Sequence, residues 1–178
     1  PAPSGAHHDA APARRPLRSC VRALPASLDA WQRGGLDLAV CDDDVTRSRA
    51  AYARIVGVEP TDVAIGAQTS AMLSLVASAL PDGAEVVVAH GDFSSVVFPF
   101  LVHAERGVRV RHVPVAELAE SIRPGTSAVV FSLVQSRDGL VADVAAVRQA
   151  AAAVGALTVC DLTQAAGWLP VDAGAFDV

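Results

Sequence analysis

The residues best suited to chemistry in this sequence stand just after short apolar runs. Asp161 closes the run Leu157–Cys160, and Leu162-Thr163-Gln164 follows, so an acid ends an apolar segment with an amide three residues later. A carboxylate in that place needs a helix N-terminus to cap or a cationic partner, because an unpaired buried charge is costly. Gly66-Ala67-Gln68-Thr69-Ser70 follows Val63–Ile65 and leads straight into a helical segment. Glycine permits a tight turn there. Thr69 and Ser70 place hydroxyls beside the free amides of a helix start, which makes either an anion cradle or an ordinary Ser/Thr N-cap. His90-Gly91-Asp92-Phe93-Ser94-Ser95 follows Glu85–Ala89. Phe93 can cover a flat ligand with its ring or pack under the next helix. The loop Ser132–Gly139, after Ala128–Phe131, offers further donors, among them Gln135 and Ser136. A phosphate cradle, an aromatic face, polar donors and a lone acid say more together than any of them alone.

Such groups meet only if the intervening elements bring them to one edge. Runs rich in β-formers at Val63–Ile65, Glu85–Ala89, Arg109–Val113, Ala128–Phe131 and Leu157–Cys160 alternate with helical segments. Those are Ser70–Leu80, Ser95–Arg106, Val115–Ile122 and Val141–Val154. This alternation predicts βαβ units: a doubly wound α/β fold with a mainly parallel sheet and helices on both faces. Val86–Val88 and Val129–Phe131 are continuously apolar, as strands buried on both sides must be. In such sheets ligands gather beyond the carboxyl ends of the strands, where all four candidate segments fall. Upstream, Pro1–Pro16 is Pro/Ala-rich and reads as a disordered tail, with His7 and His8 solvated in it rather than metal-bound. Residues 17–62 read as an N-terminal helical segment, and 63–178 as the α/β domain. Within the former, Leu17–Trp31 is expected to form a short helix interrupted by Pro25. Asp42-Asp43-Asp44 is expected to precede a helix over Val45–Val56, where acids favour the positive helix start.

Composition narrows the function. The chain has 178 residues, a net charge of −5, 52% hydrophobic and 19% charged side chains, which excludes a disordered chain. The acidic balance and the lack of an arginine stripe argue against a nucleic-acid partner. All 14 basic residues are arginine, and lysine does not occur. Cys20, Cys41 and Cys160 are widely spaced without a C-x-x-C pair, which fits a reducing, cytoplasmic setting. No secretion signal or membrane-spanning run is read, and no metal site is expected.

The stretch Thr158 to Asp172 (TVCDLTQAAGWLPVD) resembles the acid-x-x-Gln motif, followed by Pro-Val-Asp, of the class V aminotransferase and cysteine-desulfurase group of fold type I pyridoxal-phosphate enzymes. Asp92 to Pro99 resembles that family's cofactor-stacking segment, and Gly66 to Ala77 its phosphate-binding turn and helix. The likeness runs from about Leu17 to the last residue. It implies pyridoxal 5'-phosphate as cofactor, with Asp161 pairing with the protonated pyridine nitrogen. Gln164 would bond the ring's phenolic oxygen, with Ser136 or Gln135 at the same edge. Phe93 would stack on the ring, and Thr69 and Ser70 would hold the phosphate. The turn reads Gly-Ala-Gln-Thr-Ser where many members have Gly-Ala-Thr-Glu, and Phe93 or, with a shift of one, Ser94 stands where others carry His.

The resemblance also implies a Schiff-base lysine, which this chain lacks. By the family's spacing that lysine would lie about ten residues past Val178, and Phe176-Asp177-Val178 resembles the strand leading to it. The expected protein is therefore the N-terminal part of a longer enzyme, its sheet incomplete at the C-terminus and the chain alone inactive. The implied activity is on a small amino acid: transamination, desulfuration or other lyase chemistry in a homodimer with sites at the subunit interface. Cys160 is read as packing and not as a sulfur-accepting nucleophile. The alternative is a lysine-free pseudoenzyme or scaffold subunit of the same fold. A nucleotide-binding reading is weak, because the turn has neither G-x-G-x-x-G nor G-K-[ST].

Overall fold

A computed structural model describes residues 18–35 and 37–178. The tail expected over Pro1–Pro16, with His7 and His8, lies outside the described residues. Two helices come first, α1 (Arg18–Gln32) and α2 (Leu38–Val56), followed by α3 (Thr69–Ala79). Then strands and helices alternate: β1 (Glu85–Ala89), α4 (Ser94–Leu101), β2 (Arg109–Val113), α5 (Leu118–Ser121), β3 (Thr126–Ser132), α6 (Val144–Val154) and β4 (Leu157–Asp161). The strands form one parallel sheet in the order β2-β1-β3-β4.

Side-chain alternation along the strands builds a core on each face. Val86, Val88, Ala128, Val130 and Val159 meet Leu73 and Ala77 of α3 and Val96 and Phe100 of α4. On the opposite face Val87, Val129 and Phe131 meet Leu118 of α5 and Val147 and Ala151 of α6. Helices thus cover both faces of a doubly wound sheet, as the sequence pattern predicts. Parallel crossovers are right-handed, so connections that step in opposite directions put their helices on opposite faces. The step from β1 to β2 goes one way, and the later steps go the other. The reversal falls between β1 and β3, which marks the switch point where a crevice opens.

Several boundaries depart from the sequence reading. Val63–Ile65 is not a strand: Val63 has extended dihedrals (φ −100°, ψ 114°), but the segment joins no ladder of the sheet. Extended conformation makes a strand only when a neighbour takes up its amides and carbonyls. Pro25 does not interrupt α1. The carbonyl it leaves free four residues back belongs to exposed Val21, where water can satisfy it. The acids Asp42-Asp43-Asp44 lie inside α2 and not before it, because Asp37 caps the helix earlier by accepting from the Ala39 amide at 2.9 Å. Asp44 then pairs with Arg47 at 3.3 Å on the exposed side of the helix. The segment Ser95–Arg106 divides into α4 and a separate 3-10 turn, Ala104–Arg106, closed by Gly107 in the left-handed region (φ 78°). Val115–Ile122 likewise divides, into the 3-10 turn Val115–Glu117 and α5. The last helix begins at Val144 because Asp143 caps it, accepting from the Ala146 amide at 3.0 Å. Val178 pairs with the outer edge of β4: its amide donates to the Thr158 carbonyl at 3.1 Å, and the Cys160 amide donates to its carbonyl at 2.9 Å. No helix among the described residues is long and apolar enough to cross a membrane.

The amino end of the sheet is fastened by charge. Glu85, at the start of β1, accepts from Arg123 (Nη2 at 2.8 Å, Nε at 3.2 Å), from Arg111 at 3.3 Å and from Thr126 at 3.3 Å. The Arg123 hydrogen bonds lead in holding its carboxyl down to about 2, against burial that pushes it up. A folded-state value below the ordinary 4.5 gives stability that is present above that pH and is lost as pH falls toward 2. Glu85→Gln should therefore flatten the acid limb of the stability profile across that window. At neutral pH it should cost about 1–2 kcal/mol, reduced by the exposure of Arg123. Urea unfolding at stepped pH checks this; parallel profiles for parent and variant would contradict it.

Candidate functional site

Four segments converge at the carboxyl edge of the sheet, near the switch point. α3 packs on the sheet and joins β1 through a short turn, so it runs against the strands and begins at their carboxyl end. α4 leaves β1 at that same end. Two helix starts on one face therefore flank the ends of β1, β3 and β4, each with first-turn amides that no intrahelical carbonyl can reach.

At the first start, Gln68 takes the N-cap position and makes no side-chain cap bond, so neither Thr69 nor Ser70 is the capping residue. Thr69 is exposed and Ser70 half-buried, on the first turn of the helix. At the second start, Phe93 is the N-cap residue and is 40% exposed. It does not pack under α4, because Val96, Val97 and Phe100 already fill that helix's core side. Its ring is open to a ligand.

Asp161 ends β4, half-buried, with Oδ1 accepting from the Thr163 amide at 2.7 Å. It thus caps a turn and no helix, and among the described residues no arginine pairs with it. Gln164 lies half-buried in the turn closed by the Ala165 amide on the Leu162 carbonyl at 2.9 Å. Gln135 faces inward, only 2% exposed, and donates to Asp92 at 3.1 Å and to the Ser132 carbonyl at 3.3 Å. Its neighbour Ser136 is exposed at the rim.

The residue that sequence reasoning missed is Asp92. Its carboxylate accepts from the Phe93 amide (2.7 Å), the Ser132 hydroxyl (2.5 Å), the Ser132 amide (2.7 Å) and Gln135 (3.1 Å). The signal was available, since an acid just past an apolar strand is the pattern that singled out Asp161. Tyr52 of α2 was missed as well. Partial burial raises its phenol pKa first, and the charge of Asp161 adds to that.

Cys160 packs toward the α5/α6 face, and burial, aided by the charge of Asp161, pushes its thiol up to about 12. It packs against the core of that face as a thiol that burial keeps from ionising.

The parallel, doubly wound sheet thus brings an aromatic face, two helix starts and the acids Asp92 and Asp161 to one carboxyl edge. The model of the family described as Aminotransferase class-V matches residues 33–178, and the chain belongs to that family. Over 132 residues it is 30% identical to the uncharacterized aminotransferase YcbU of Bacillus subtilis (strain 168), covering 70% of this chain and 36% of that protein. Among solved structures it resembles the apo cysteine desulfurase of Thermococcus onnurineus NA1 (TM-score 0.77, 19% identity, 94% of this chain and 46% of that one). It also resembles the cystine C-S lyase C-DES in complex with cysteine persulfide (TM-score 0.77, 20% identity, 91% and 48%). The chain thus spans about half or less of the length of these proteins.

The family's cofactor is pyridoxal phosphate, and the residues present fit it. The decisive feature is Asp161: one carboxylate oxygen is bound by an amide, and among the described residues no cation pairs with the group. A protonated ring nitrogen is the partner such a carboxylate lacks.

The burial of Cys160 predicts a labelling order. With iodoacetamide at pH 8, exposed Cys20 should be modified first and Cys160 at least about 100-fold more slowly in the folded chain, as mass spectrometry of the digests would show. Equal rates would contradict the assignment.

Proposed function

We propose that this chain is the cofactor-binding part of a pyridoxal-phosphate enzyme that acts at Cα of a small amino acid, by transamination, desulfuration or another lyase reaction. The observation that carries the reading is Asp161 at the end of β4, which no cation among the described residues pairs with, at the same edge of the sheet as Phe93 and the start of α3. When bound, the cofactor supplies an electron sink for the pair released at Cα. Asp161 holds the proton on the pyridine nitrogen, because its negative charge favours the cationic ring. Phe93 covers one ring face and keeps water from it. The first-turn amides of α3, with Thr69 and Ser70, hold the phosphate. Gln164 and Ser136 serve the phenolic edge, while Gln135 acts from beneath through Asp92.

The 14 basic residues are all arginine, so an enzyme of this kind would draw the amine for its Schiff base from outside these 178 residues. A homodimer with sites at the interface is the assembly we propose for the whole enzyme, in a cytoplasmic setting. The same lack of lysine supports a second reading, a lysine-free scaffold subunit. A longer reading frame that holds a lysine just past Val178, and a visible band lost on its replacement, would decide for the enzyme.

The 178-residue chain should bind pyridoxal phosphate noncovalently, followed by fluorescence titration. Asp161→Asn should weaken binding at least about tenfold, or about 1.4 kcal/mol, with little change in unfolding temperature. Ser70→Ala should weaken it only a few-fold, since the backbone amides remain. Equal affinity for Asp161→Asn and parent would overturn the assignment.

A further inference from the structure

Among the described residues Asp92 carries more hydrogen bonds than any other acid at the carboxyl edge, and it does not itself face the cofactor. One oxygen accepts from the Phe93 amide and the Ser132 hydroxyl, the other from the Ser132 amide and the Gln135 side chain. Both donor residues on the β3 side are buried, at 7% and 2% exposure. The carboxylate therefore joins the turn after β1 to the end of β3 across the switch point, where no ladder hydrogen bond reaches: the β1–β3 register stops at Val88–Val130.

The route continues on both sides. Ser132 stands opposite Asp161 in the β3–β4 register. Phe93 is the residue next to Asp92, its backbone amide fixed by the same carboxylate. The two groups assigned above to the ring face and to the ring nitrogen are thus tied through one side chain and one intervening residue. We propose that Asp92 is the positioning residue of this site, setting the height of the Phe93 ring relative to the Asp161 carboxylate. This rests on the pyridoxal-phosphate reading and assigns to it a residue that does not touch the cofactor.

The carboxylate is suited to the task in a way its isostere is not. All four groups that reach it are donors, so each oxygen must accept twice. Asparagine would turn an NH2 toward donors at one of the two positions and leave buried groups unpaired. A shorter side chain would leave all of them unpaired.

The test compares the parent chain with Asp92→Asn, Ser132→Ala and Asp161→Asn, with pyridoxal phosphate as the probe. Asp92→Asn should lower cofactor affinity about tenfold and reduce the induced visible circular dichroism of the bound ring, a signature of its orientation. Ser132→Ala, which keeps the Ser132 amide, should shift both in the same direction by less, and it decides the matter if Asp92→Asn does not fold. In the cofactor-free chain, hydrogen exchange at the Phe93 and Ser132 amides should quicken about tenfold in Asp92→Asn, with Glu85 and Thr126 unchanged. Parental affinity and dichroism in both Asp92→Asn and Ser132→Ala, alongside lost binding in Asp161→Asn, would overturn the positioning role and leave the cofactor reading standing. A parent chain that binds no cofactor would refute that reading and the proposal with it.

Discussion

The pairing of β1 with β3, which skips β2 in chain order, is the constraint from which the rest follows. Because β2 lies on one side of β1 and the later strands on the other, the crossover helices must divide between the faces. α4 shares its face with α3, and both begin at the carboxyl end of the strands. The loops after β1 and β3 separate at that point, leaving a crevice that the ladder does not close. Asp92 bridges it with a side chain in place of a ladder bond. A bridge of that kind fixes the spacing of two loops without filling the space between them.

The two ends of the sheet treat negative charge in opposite ways. At the amino end, Glu85 meets two arginines, and its charge is compensated within the chain. At the carboxyl end, Asp92 is satisfied by neutral donors alone, and Asp161 by a single amide. Helix starts nearby make this tolerable, since their dipoles favour negative charge. The arginine beside the crevice, Arg137, lies close over Gly91 and pairs with Asp138, not with either site acid. Compensation at one end is structural. At the other end, no cation among the described residues pairs with Asp92 or Asp161, and burial keeps the neighbouring Cys160 thiol from ionising.

Strand β1 was legible to the residue because a continuous apolar run bounded by polar turns leaves little choice of register, and β2, Arg109–Val113, because its valines are interspersed with polar residues as they are along an edge strand. Val63–Ile65 has the same composition and fails, since composition reports what a segment can bury and not whether a neighbour stands beside it. The helix starts were misplaced at α2 and α6 because a single capping aspartate, Asp37 or Asp143, outweighs apolar periodicity in setting the first turn. Asp161 was singled out because an acid at the end of an apolar strand is anomalous at any reading. Asp92 was not, because its partners Ser132 and Gln135 are 40 and 43 positions away and meet it only through the strand order. Gln135 shows the same limit: its polarity marked it as a donor, but the direction in which it donates is a property of the fold.

The central claim is that Asp161 keeps a ring nitrogen protonated at the end of β4. Its most direct test is the nitrogen-15 chemical shift of pyridine-labelled pyridoxal phosphate bound to the parent chain and to Asp161→Asn at neutral pH. The account predicts a protonated nitrogen in the parent and a shift toward the unprotonated position in the variant. An unprotonated nitrogen in the parent, or the same shift in both proteins, would contradict it.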